Sequence, residues 1–413
     1  MKKVLYVLGS FIIILLIGIN AIFYYENMYI KNYIPVSEEV YNTPKSQKTA
    51  VSSKEKPQPQ KKSPVQLQNR SEEYRATIAL VGDVFFSGYL LKSYYDRQTQ
   101  SYSFGNIMEN VRDITYADLS VFKFDSSLSE NTPVSTSGKY NAPGEVLNLL
   151  KSAGLNVAVL SSSHIFDAKK QGLEDTIRNL KDAGISPVGV KLSSAEHASN
   201  VFDINNIRIG IAAFTKELSG IYLEDGSSYK EYVSTLDRDT IKNELEYLKG
   251  KSCDIIIAYT NWGYENSTST TSEQREFAKE LVRYGADIVI GTHTHTIQPF
   301  EKIQIDDENY GKREGVVFYS LGNFLCDQTV IFPYNRFGLT VRLELTKKDN
   351  RLTKRILVEP IYIFRKTRTN GNYYDFILLK AKDILNRTDV KKSYIQYAGK
   401  LLENVKDQLQ KLQ

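Results

Sequence analysis

The chain has 413 residues, 24% of them charged and 41% hydrophobic, and carries a formal net charge of +5. Two cysteines exclude a disulfide scaffold. The excess charge lies in residues 42–75, where eight basic side chains meet three acidic ones. Residues 76–413 are therefore balanced, which excludes a basic nucleic-acid-binding body.

At the N-terminus, Met1-Lys2-Lys3 precedes an uncharged run from Val4 to Tyr25, centred on Phe11-Ile12-Ile13-Ile14-Leu15-Leu16-Ile17. These 22 residues predict a helix about 33 Å long, enough to cross a hydrocarbon core. Lys2 and Lys3 predict a cytoplasmic N-terminus and an external body. The bulky Ile19-Asn20-Ala21-Ile22-Phe23 offers no small-x-small cleavage site, and no cysteine lies near it. Residues 1–25 thus read as an uncleaved signal anchor rather than a removed signal peptide. Residues 26–75 read as a juxtamembrane segment and a basic tether. Pro57-Gln58-Pro59-Gln60-Lys61-Lys62-Ser63-Pro64 cannot build a core and predicts solvated, extended chain. Its charge suits a spacer beside anionic lipid or wall polymer.

Beyond the tether, apolar runs recur at Thr77–Val81, Asn156–Leu160, Ile207–Ala212, Ile255–Ala258, Ile288–Ile290 and Val316–Tyr319. Unbroken rather than alternating apolarity predicts strands covered on both faces. Helical spacing fills the gaps between them. Leu173, Ile177 and Leu180 lead to Gly184, Ile241, Leu245 and Leu248 to Gly250, and Phe277, Leu281 and Tyr284 to Gly285. Strand, helix, strand in turn is an α/β order. Leu339–Leu345 and Ile356–Tyr362 predict antiparallel, half-exposed strands. The segment 371–413 reads as helical, leaving residues 76–370 as one large domain. No internal repeat is present, and no Gly-x-x-x-x-Gly-Lys-Ser/Thr phosphate loop.

The residues able to do chemistry stand at strand ends. Asp83 follows the first run, Asp125 follows Val121-Phe122-Lys123-Phe124, and His164 follows Leu160-Ser161-Ser162-Ser163. Asn261 follows Tyr259-Thr260, and His293 and His295 follow Val289-Ile290-Gly291. Histidine is scarce, with four in the chain, and two of them are one residue apart here. If these strands share a direction, the groups converge at a carboxyl edge, where α/β proteins keep metals and substrates. Two carboxylates, an amide oxygen and imidazoles suit one or two divalent transition metals, such as the pair used for phosphoester cleavage. Singly, each has a plainer reading: Asp83 as a turn residue, Asn261 as a satisfied core amide.

Together these motifs resemble the capsule-biosynthesis (CapA-type) family of poly-γ-glutamate synthesis, whose domain is related to the calcineurin-like metallophosphoesterases. The resemblance runs from about Ala76 to beyond Asp327. It rests on Gly82-Asp83, Lys123-Phe124-Asp125, Ser162-Ser163-His164-Ile165-Phe166-Asp167, Asn261-Trp262-Gly263-Tyr264-Glu265, Gly291-Thr292-His293-Thr294-His295 and Ser320-Leu321-Gly322-Asn323-Phe324. It implies a metallophosphoesterase-like layered sandwich, with mixed β-sheets flanked by helices. It assigns His164 and Asp83 to catalysis. Lys123, Trp262 and Asn323 fall to substrate, and Asp83, Asp125, Asn261, His293 and His295 to a single divalent metal, Mn, Zn or Fe.

Five positions depart from the family pattern. Lys123 stands where relatives place asparagine, Asp125 where they place glutamate, Ser162 and Ser163 where they place two asparagines, and Asn261 where they place histidine. An ammonium repels a divalent cation and has no lone pair to give. Lys123 is therefore expected either to neutralise Asp83 and Asp125 in place of a metal or to make the cleft anion-binding. The resemblance implies a membrane-anchored, extracellular bacterial subunit that handles or exports the anionic poly-γ-glutamate polymer. Its partners would be the membrane-embedded synthase subunits that supply ATP-driven ligation. The alternatives are a metal-dependent phosphoesterase and a vestigial scaffold.

Overall fold

The unbroken apolar runs form strands because each is buried on both sides. Along Ile255–Asn261, Ile255, Ile257 and Tyr259 point into one core, while Ile256 and Ala258 point into another. That is the period of two expected of a strand between two packed layers. The computed structural model of the chain describes residues 72–412 apart from 136, 217, 219–222, 224–225, 329–332 and 370–372. The predicted anchor and most of the tether lie outside the described residues. Among those described, no helix is long and apolar enough to cross a membrane.

In chain order the strands are β1 (Glu73–Val84), the short hairpin β2 (Tyr95–Asp96) and β3 (Ser101–Tyr102), β4 (Leu119–Phe124), β5 (Val157–Val159) and β6 (Ser186–Val188). There follow β7 (Asn200–Ile204), β8 (Ile207–Thr215), β9 (Ile255–Asn261), β10 (Ile288–Thr292), β11 (Phe300–Asp307) and β12 (Gly311–Phe318). The last are β13 (Asn323–Leu325), β14 (Phe337–Lys348), β15 (Arg351–Thr367) and β16 (Tyr374–Lys380).

Among the described residues these strands make two large mixed sheets. The first has eight strands, in the order β16-β15-β14-β1-β4-β5-β6 with β13 beside β1. Its β1, β4, β5 and β6 are parallel, and β14 to β16 antiparallel. The second has six, in the order β11-β12-β10-β9-β8-β7. Its four central strands are parallel, with an antiparallel strand at each edge.

The sheets pack face to face. Ile78, Leu80 and Val121 of the first share a core with Ile211, Ile257, Ile290 and Phe318 of the second. Helices cover the two outer faces. Leu173, Ile177 and Leu180 of the helix Lys169–Asp182 lie in the core over the first sheet. Ile241, Leu245 and Leu248 of Arg238–Gly250, with Ala278, Leu281 and Val282 of Ser272–Tyr284, lie over the second. Each such leucine, isoleucine or valine contributes about 1.5–3 kcal/mol when fully buried. The result is a sandwich of four layers. Tyr259 ties the two sheets together, its buried hydroxyl donating to Val121 O at 3.2 Å.

The antiparallel pair expected at Leu339–Leu345 and Ile356–Tyr362 is present, with Val341 opposite Val358. The segment 371–413 is not helical throughout. Tyr374–Lys380 forms β16, with Phe376 and Leu378 turned inward, because aromatic and branched residues at alternate positions fit the free edge of β15. Helix proper runs over Lys392–Leu412. The edge strands β7 and β11 mix polar and apolar residues, so they stand outside the unbroken apolar pattern used to find the others.

Candidate functional site

Both sheets direct the carboxyl ends of their parallel strands to one place. Asp83, near the end of β1, is paired with Lys123 on β4. Asp125 lies two residues beyond Lys123 and so shares its face. The Lys123 ammonium stands 2.9 Å from Asp83 Oδ1 and 3.1 Å from Asp125 Oδ2. All three side chains are sealed from solvent, at 0%, 0% and 1% exposure. Burial pushes the lysine pKa down, but the Asp125 and Asp83 carboxylates outweigh it and raise it. Burial likewise pushes Asp125 up. Lys123, His164 and His295 overcome this and hold it well below the usual carboxylate range. These shifts keep Lys123 protonated and Asp125 ionised.

The two histidines after β10 come from the second sheet. His293 N–H faces the Asp83 carboxylate at 3.3 and 3.4 Å, and His295 Nδ1 lies 3.7 Å from Asp83 Oδ2. Both take a left-handed backbone, φ +82° and +56°, which costs a non-glycine residue energy and is held only by its surroundings. Asn323 on β13 supplies part of that hold. Its amide group donates to the carbonyls of His295 and Asn335 at 3.1 and 2.9 Å. Its Oδ1 is therefore the acceptor for His295 Nδ1–H at 2.9 Å, a bond in which Nε2 takes no part.

His293 has its pKa lowered from 6.5 to about 4, first by burial and then by Lys123 and His295. Its folded pKa lies below its unfolded one, so the unfolded chain binds the extra proton in between. The stability this residue brings is intact above pH 6.5 and is lost as pH falls towards 4. The loss is expected to reach about 3 kcal/mol. Urea denaturation at steps across this window measures it, and His293→Asn should flatten the slope.

His164 sits at the rim, its side chain 25% exposed, with Nδ1 2.9 Å from Asp167 Oδ2. Tyr140 meets its ring edge-on at 4.7 Å, and Phe85 lies between it and His295 at 5.9 and 6.2 Å. Burial lowers the His164 pKa, but Asp167 and Asp125 prevail and raise it. Asp167 lay in a quoted motif without a role. Tyr140 and Phe85 gave no signal, since aromatics abound in this chain.

The structure therefore gathers Asp83, Lys123, Asp125, His293, His295 and Asn323, with His164 at the edge. Asn261 lies on the same face of β9 as Tyr259. Its amide group donates to Thr215 Oγ1 at 3.1 Å, and its buried Oδ1 has no hydrogen-bond partner. The three residues expected to meet substrate offer it no surface. Trp262 is 1% exposed and turned to the opposite face of the strand, with its indole N–H given to Tyr319 O at 2.8 Å. Asn323 is buried and committed to the histidine loop. Lys123 is enclosed by its carboxylates, so the expected anion-binding cleft is replaced by an internal ion pair. The remaining histidine, His197, stacks on Tyr247 beside Glu244, outside this group.

A divalent metal does not fit these residues as they stand. Its two carboxylate ligands already grip an ammonium, and a cation beside that ammonium would be repelled. Among the described residues, no three His, Cys, Asp or Glu side chains are grouped to hold a metal ion.

Two mixed sheets packed between helices, with polar side chains meeting at parallel strand ends, define a layered α/β sandwich. The chain belongs to the family described as "Bacterial capsule synthesis protein PGA_cap", which it matches over residues 77–328. It is 26% identical over 266 residues to the "Capsule biosynthesis protein CapA" of Bacillus anthracis, covering 62% of this chain and 61% of that protein. It is 28% identical over 228 residues to the "PGA biosynthesis protein CapA" of Bacillus subtilis (strain 168), covering 54% and 55%. The matches thus span about three fifths or less of these relatives' own length. Among solved structures it is similar to the calcineurin-like phosphoesterase YfkN from Bacillus subtilis, at 11% identity and a TM-score of 0.41, covering 82% of this chain and 99% of that one.

Proposed function

We propose that this protein is a membrane-anchored, extracellular accessory subunit of a poly-γ-glutamate capsule synthesis and export machine. The family match over residues 77–328 carries the reading. Relatives named for capsule and PGA biosynthesis support it, as does the uncharged run from Val4 to Tyr25 behind two lysines. The chain has no phosphate loop, so a membrane-embedded partner performs the ATP-driven ligation of glutamate. With Lys123 enclosed, the emerging polyanion is met outside the buried trio. Deleting the gene is expected to remove polyglutamate from the cell surface while isolated membranes still ligate glutamate. A normal capsule in the deletion strain overturns the reading.

A hydrolase is the second reading, and one feature favours it: the His164–Asp167 pair stands at the rim, where it can hand a proton to a leaving group. Phosphoester turnover by the purified chain that disappears in His164→Ala would transfer the function to this reading.

A further inference from the structure

We infer that Lys123 is a built-in cation standing in for a divalent metal, so that this domain is complete without one and becomes a metal site only when the lysine is removed. The inference is independent of the capsule role.

Three observations carry it. First, the ammonium occupies the position between Asp83 and Asp125, at 2.9 and 3.1 Å, that a cation shared by two carboxylates would take. Second, the ends of the parallel strands that meet there carry atoms of the kind a transition metal uses. Asp125 Oδ1 and Asn261 Oδ1 are buried oxygens without a hydrogen-bond partner, and His295 Nε2 takes no part in its ring's bond to Asn323. Third, the ring-bearing loop is held in strained left-handed geometry against Asp83, so the two imidazoles are positioned before any ion arrives. A buried pair of carboxylates needs compensation from within, because water cannot reach it. Lysine provides that compensation through a covalent link to β4, whatever the metal supply outside the cell.

The test uses the full-length chain, wild type and Lys123→Asn, each prepared with and without Mn2+, Zn2+ or Fe2+. The readouts are bound metal by elemental analysis and the melting temperature with and without chelator. The wild type is expected to hold no stoichiometric metal and to melt at one temperature throughout. Lys123→Asn is expected to melt lower, to take up about one ion per chain with an affinity at least about 100-fold above wild type, and to recover part of its melting temperature with that ion. Adding Asp125→Asn should abolish the uptake. A wild type carrying stoichiometric metal overturns the inference. So does a Lys123→Asn chain that binds none, or one that stays unfolded even with metal present.

Discussion

Replacing Lys123 by methionine is expected to destabilise the fold by about 3–5 kcal/mol, the cost of stripping the partner from a buried charge. The side chain is among the largest fully buried in the protein, and methionine fills most of its volume, so the loss is electrostatic rather than a cavity effect. Two carboxylates would then face each other out of reach of water, and Asp125 would lose the first of the groups that hold its pKa down. The triple variant Lys123→Met/Asp83→Asn/Asp125→Asn removes all three charges together and should recover much of the loss, since an uncharged site has no desolvation penalty to offset. Urea denaturation of the three chains at pH 7 measures both steps. A Lys123→Met chain as stable as wild type would show that the ion pair is not what holds the strand ends together.

Gly291→Ala is expected to cost at least about 3 kcal/mol by overpacking. A Cβ there would lie 1.9 Å from Tyr319 O and 2.4 Å from Trp262 Nε1, the two atoms joined by the buried indole hydrogen bond. Neither can yield. Tyr319 O belongs to backbone next to β12, and Trp262 is locked in the core over the second sheet. The end of β10 must therefore shift, carrying His293 and His295 away from Asp83. Gly144→Ala is the control, because a Cβ at that position meets nothing within 4 Å. Thermal melting separates the two variants, and the histidine ring NMR signals report whether the His293–His295 loop has moved. Equal melting temperatures would overturn the steric account.

Much of the architecture was legible along the chain. Runs such as Ile255–Ala258 are apolar at every position, and only a strand between two packed layers needs that. The glycine after Leu180 likewise marks a helix end, at φ +78°. The site was legible as a list of strand-end residues, and Lys123 declared itself by standing where the family places an asparagine. Its pairing with both carboxylates was one of two expectations, and only the register of β1 with β4 chose between them.

Residue order by itself determined which strands are doubly buried, which side chains end them and where the charge of the chain resides. The tertiary structure alone decided direction. Alternation along a strand says that Asn261 and Trp262 face opposite ways, but not which of them faces the other sheet. Hydrogen bonding to neighbouring strands sets that choice, and it sent the indole into the core over the second sheet and the amide to Thr215. Long-range pairing likewise placed Asn323 beneath His295. Such contacts join residues distant in the chain, so no local pattern records them.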